Sequence, residues 1–111
     1  MEYSDLRLRV QDLGLEVDRT VYHQPVDHGW TDRVQGTAFN IVRSNGVRIW
    51  ASGDRGDFFQ QPGPHTVFDS VDDACEWIWR DIRFHVSPDL LTDEERRAVV
   101  AEAQASIDGL L

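Results

Sequence analysis

The sequence predicts one α+β domain spanning residues 1–111: an antiparallel β-meander of about four or five short strands packed against helices. Three observations carry this expectation. Asn45-Gly46 separates two β-rich runs, 37–43 and 47–51, and a tight hairpin turn needs residues that accept positive φ. Two capping-box signatures follow, one opened by Ser70 with Asp73 three residues on, the other by Thr92 with Glu95. The length of 111 residues suffices for one modest core and not for two.

Taken in order, Ser4 can cap a helix to about residue 13. Leu6, Val10 and Leu13 recur there at helical spacing, and Gly14 stands where a C-terminal cap belongs. Residues 15–22 alternate: Leu15, Val17 and Val21 share one face and Glu16, Asp18 and Thr20 the other, as in a half-buried strand. Residues 23–35 are polar, carry Pro25, Gly29 and a lone Trp30, and read as a loop. The hairpin comes next, then a turn at Gly53-Asp54-Arg55-Gly56-Asp57. A short strand begins at Phe58 and stops at Pro62-Gly63-Pro64, and Thr66-Val67-Phe68 is a candidate last strand.

Ser70 opens a helix to about His85, with Ala74, Cys75, Ile78, Trp79, Ile82 and Val86 as one apolar stripe. Glu76 and Arg80 are spaced to pair on its outer side, and Ser87-Pro88 ends it. Thr92 opens a final helix to about Ile107, on which Ala98, Val99, Ala103 and Ile107 are the packing residues. Gly109 and the terminal leucines are expected to fray or dock loosely. The two late helices are expected to cover the sheet, since its apolar face needs a partner layer.

Composition narrows the function. Hydrophobic residues make up 41% and charged residues 28%, a balance that supports a packed core rather than disorder. No run approaches the ~18 apolar residues of a membrane helix, and the start Met1-Glu2-Tyr3-Ser4-Asp5 lacks the pattern of a signal peptide, so a cytoplasmic location is expected. The single cysteine, Cys75, excludes an internal disulfide. Twenty acidic residues against eleven basic ones leave a net charge of −9. Phosphate contacts need Lys or Arg, so nucleic acid is a poor partner, whereas an acidic surface attracts basic proteins.

Chemistry has little to rest on. His23, His28, His65 and His85 match no metal-ligand spacing, and histidines in a polar loop beside Asp27 are more often solvated than catalytic. Cys75 lies near a helix start, which favours a thiolate, but also on the apolar stripe, which favours packing. Asp54, Asp57 and Asp69 could form an acid–base pair, yet Asp beside glycine commonly serves turn geometry. Gly53 and Gly56 fit no phosphate-loop pattern. No catalytic residue, metal or cofactor is therefore expected. The four tryptophans are more informative. Trp77 lies about 160° around its helix from Trp79, at ~100° per residue, and shares a face with Phe84. Either the last helix covers that face or it anchors a partner.

The segment 47–86 carries an aromatic hairpin strand, the turn Asp54-Arg55-Gly56, then Phe58, Phe68-Asp69-Ser70 and the aromatic helix Trp77-Ile78-Trp79-Arg80-Asp81-Ile82. It resembles the small immunity proteins of bacterial polymorphic toxin systems. The resemblance implies an acidic antitoxin that neutralises a cognate toxin by direct protein–protein contact, with no catalytic residue of its own. Many such toxins have basic clefts, which acidic side chains can occupy. The candidate contact residues are Asp54, Arg55, Asp57 and Trp77, with Trp30 and Trp50 as further aromatic anchors. A second reading is a small enzyme or ligand-binding domain with a pocket between sheet and helices, lined by His23, His28 or Asp57. A third is a subunit that only self-associates, through an exposed edge strand.

Overall fold

The computed structural model describes residues 1–24, 36–53 and 57–111. The order is α1 (Tyr3–Asp12), a single helical turn α2 (Val17–Thr20), β1 (Val21–His23), β2 (Phe39–Arg43), β3 (Val47–Ser52), β4 (Phe58–Gln61), α3 (Val71–Val86), a short 3₁₀ helix (Pro88–Leu90) and α4 (Asp93–Ile107). The fold is α+β, and the four strands form one sheet in the order β1-β2-β3-β4.

The hairpin organises that sheet. Asn45 and Gly46 both take positive φ, 51° and 104°, and Ser44 N–H donates to the Gly46 carbonyl at 2.9 Å. Gly46 is also required sterically, because a Cβ there would lie 2.4 Å from Val67 Cγ1. The turn sets β2 antiparallel to β3 with Ile41 opposite Ile49, and β3 pairs antiparallel with β4, Trp50 opposite Gln60. β1 departs from the expected meander: it lies parallel to β2, with Val21 opposite Phe39.

The alternation of residues 15–22 gives only this short strand, because the chain before it is used differently. Gly14, at φ 80°, closes α1 in a Schellman motif, with Gly14 N–H on the Gln11 carbonyl and Leu15 N–H on the Val10 carbonyl. The polar residues that follow then find partners at helical spacing. Thr20 Oγ1 donates to the Glu16 carbonyl at 2.7 Å, and Arg19 pairs with Glu16 at 3.3 Å. The stretch 66–68 contributes one bridge, Phe68 opposite Val47, rather than a strand. There the Gln60 side-chain amide takes the Thr66 carbonyl, and Val67 stays 45% exposed.

The layer that covers the sheet is α1 with α3, not α3 with α4. Leu6 and Val10 from α1, Val21, Ile41 and Ile49 from the sheet, and Ala74, Cys75, Trp77, Ile78 and Ile82 from α3 form one apolar cluster. Each fully buried Leu, Ile or Val there contributes about 1.5–3 kcal/mol. Two of the three expected N-terminal caps fall where the sequence places them: Ser70 Oγ accepts from Asp73 N–H, and Thr92 and Glu95 form a complete reciprocal capping box. Ser4 does not cap α1, because the helix already begins at Tyr3, with Glu2 at the N-cap position and no side-chain cap bond. Glu76 and Arg80 do not pair with each other. Glu76 meets the Met1 amine at 3.0 Å and Arg80 meets Glu102 of α4 at 2.7 Å.

α4 buries none of its residues. Of the expected packing residues, Ala98, Ala103 and Ile107 are exposed and Val99 is only half-buried, so this helix does not pack through that face. Polar contacts hold it instead: Arg83 to Glu95 at 2.5 Å, and Arg80 and Trp77 Nε1 both to Glu102 Oε1 at 2.7 Å. Its end is ordered rather than frayed, because Gly109 (φ 75°) makes a second Schellman motif and Leu111 lies against Gly63.

Candidate functional site

Among the described residues, the side chains singled out in the sequence do not converge on one face. Trp77 is 9% exposed and sits in the core, its ring edge-on to Phe39 at 6.1 Å and tilted against Phe68 at 6.5 Å. Its indole N–H is spent on Glu102. The buried residues of α3 are Ala74, Cys75, Ile78 and Ile82 of the expected stripe together with Trp77, while Trp79, placed on the stripe by periodicity, packs half-buried against the core with Arg9 at 5.7 Å and Arg83 at 5.3 Å over its ring. Val86, the other end of that stripe, is 49% exposed.

Trp50 occupies the opposite face of the sheet. Its neighbours Ile49 and Ala51 turn inward, and Trp50 shares its row with Asn40 and Gln60. Gln24 and Asn40 are buried, and neither Gln24 amide atom nor Asn40 Oδ1 has a hydrogen-bond partner among the described residues. Asp57 is exposed at the start of β4, with its carbonyl accepting from Gly53 N–H at 2.8 Å. Trp30, His28, Asp54 and Arg55 lie outside the described residues.

Among the described residues, the groups considered for chemistry form no cluster. His23 packs edge-on against Tyr3 at 5.5 Å, His65 is exposed, and His85 reaches Asp81 at 3.3 Å. Cys75 is fully buried, and that burial pushes its thiol up to about 11, which suits a packing residue and not a nucleophile. Among the described residues, no group of three or more His, Cys, Asp or Glu side chains could hold a metal ion.

What does stand out is a groove between α4 and the strand–turn 59–64. It encloses about 440 Å³, the size of a small-ligand or anchor pocket. α3 supplies its floor through Trp77 and Asp81, four residues apart and so on one helix face. Phe59 and Pro62 form one wall, Val99, Glu102 and Ile107 the other. The groove lies where α4, tied to α3 through the carboxylates of Glu95 and Glu102, buries none of its own residues against the body.

Electrostatically the two groove carboxylates differ. Glu102 is answered by Arg80 and by the Trp77 indole. Asp81, with a side chain 21% exposed, pairs among the described residues with the imidazole of His85, and the charge of Arg80 acts on it as well. Burial holds its carboxyl above the ordinary carboxylate range, against the opposing pull of His85, and nearby Glu102 adds to the rise. Asp81 is the residue that sequence reasoning missed. The available signal was its spacing from Trp77, which puts a carboxylate and an aromatic on the same turn-to-turn row. No family model, curated protein or solved structure matches this chain, so the functional reading rests on its own side chains.

Proposed function

We propose that this protein is an acidic binding module that neutralises a basic protein partner by direct contact, as an immunity protein does its toxin. The observation that carries the reading is the net charge of −9 together with where its carboxylates lie. Glu2, Asp5, Asp12, Asp57, Asp69, Asp72, Asp73, Asp89 and Glu94 are all exposed. Some of them sit in first helical turns, where they also complement the helix dipole. That local role does not require an excess of nine negative charges, and such an excess steers basic proteins into encounter. In this reading Asp57 flanks the contact surface at the start of β4, with Asp54 and Arg55 preceding it in the chain. Trp30 and Trp50 remain candidate anchors, and Trp77 shapes the surface from beneath.

The test is capture from the lysate of the producing cells at low and at raised salt. The expected result is one stoichiometric partner with an excess of Lys and Arg, retained less as salt rises. A captured partner that is acidic, or whose retention ignores salt, would overturn the reading.

A small-ligand role also has an observation in its favour, the 440 Å³ groove. A thermal-shift screen with metals and nucleotides separates it, since a ligand of the folded state raises the melting temperature.

A further inference from the structure

We propose that the groove between β4 and α4 is the anchoring pocket for one cationic side chain, arginine or lysine, of the basic partner, with Asp81 as its counter-ion. This rests on the binding-module reading and gives it a place. Three observations select such an occupant.

The first is charge. Asp81 lines the groove, and its neighbour His85, itself 70% exposed on its side chain, supplies a full positive charge only when protonated. Arg80, the nearest guanidinium on α3, is already committed to Glu102. An incoming guanidinium or ammonium supplies the missing charge, and the net charge of −9 favours its approach.

The second is shape. A long side chain with an apolar stem and a charged tip matches apolar walls above a charged floor. Phe59 and Val99 can cover the stem while the tip reaches Asp81.

The third is the surface beyond the groove. At the rim of the groove Phe59 is 45% exposed and Ile107 80%. A free small cation would leave these apolar side chains in water. A protein that inserts one basic residue can cover them with its flanking residues, the usual arrangement around an interface anchor.

The test uses the full chain and three probes: the capped tripeptide Leu-Arg-Leu, the same peptide with citrulline for arginine, and spermidine. Binding is followed by the NMR signal of the Trp77 indole N–H. We expect saturable shifts of that signal with the arginine peptide, and affinity weaker by at least about tenfold for the neutral citrulline peptide. Asp81→Asn, close to isosteric, should show the same loss while its remaining spectrum stays that of the folded protein.

Equal binding of both peptides, or unchanged binding by Asp81→Asn, would overturn the proposal. Spermidine binding more tightly than the arginine peptide would overturn its assignment to a protein side chain. With a captured partner in hand, wild-type retention by Asp81→Asn would remove the groove and leave the binding module standing. Absence of any basic partner alongside normal peptide binding would remove the binding module, and with it the protein occupant.

Discussion

Glu102→Ala should release the last helix while leaving the core folded. One carboxylate oxygen, Glu102 Oε1, accepts from Arg80 and from Trp77 Nε1, both at 2.7 Å. Hydrogen bonds to a charged group contribute about 1.5–3 kcal/mol each. The pair is partly solvated, with side chains 18% and 24% exposed, and a detached α4 lets water reach both donors. The two bonds together should therefore be worth about 1.5–3 kcal/mol to docking, not their full sum. α4 buries no residue that would make up the loss, and an isolated helix of 15 residues is marginal in water.

Amide hydrogen exchange measures this directly. The variant should exchange in α4 roughly ten- to a hundredfold faster, at tenfold per 1.4 kcal/mol. The amides of Ile78 and Ile82, in the buried row of α3, should change far less. Unchanged exchange in α4 would refute the claim that Glu102 holds the helix. Equal acceleration in α3 would refute the claim that α4 opens separately from the core.

Three further predictions follow from the fold. Gly46→Ala should cost about 1–3 kcal/mol in urea unfolding, since it places a Cβ 2.4 Å from Val67 Cγ1 at a φ of 104°. Cys75, buried and with its thiol pushed up to about 11, should resist thiol reagents at about pH 8 in the folded protein and react once unfolded. Acid should weaken the hold on α4: Arg83, and then the Thr92 amide, keep the Glu95 carboxyl below its ordinary 4.5, so its contribution is present above that value and is lost as the pH falls through the lowered folded value. Asp81 works in the opposite sense, because its folded value is raised and protonation relieves the burial of its charge. A melting-temperature series from neutral to about pH 3 should thus show a smaller acid loss for Glu95→Gln than for the wild type.

Local signals in the sequence translate well into structure here. Asn45-Gly46, Ser70 with Asp73, and Thr92 with Glu95 each specify a conformation through atoms a few residues apart, and each is found where expected. Competition between local patterns explains the first strand: the alternation at 15–22 gives way to a helical turn because Glu16, Arg19 and Thr20 satisfy one another at that spacing.

The choice of helix layer is different, because it depends on tertiary partners. Ala98, Val99, Ala103 and Ile107 look like a packing face, but they are small or peripheral beside what α1 offers in Leu6 and Val10. Periodicity places Trp79 on the core stripe and Trp77 on a face that either the last helix covers or a partner meets; Trp79 packs half-buried against the core, and Trp77 is buried against Phe39 and Phe68 with its indole bonded to Glu102 of α4. A pocket between sheet and helices belongs to the second reading of the sequence, but with His23, His28 or Asp57 in its lining, and the groove's actual lining was not legible. Phe59 and Val99 are forty residues apart, and only the tertiary placement of α4 brings them to one groove.

The central claim is neutralisation of a basic partner by contact, and growth of cells expressing that partner tests it most directly. The partner captured at low salt is expressed alone, with this protein, and with a variant carrying Asp57→Lys and Asp81→Lys. The account predicts arrest with the partner alone, growth restored by the wild-type chain, and weaker rescue by the double variant. Arrest that persists beside the wild-type chain, with both proteins present and the complex formed, would contradict it.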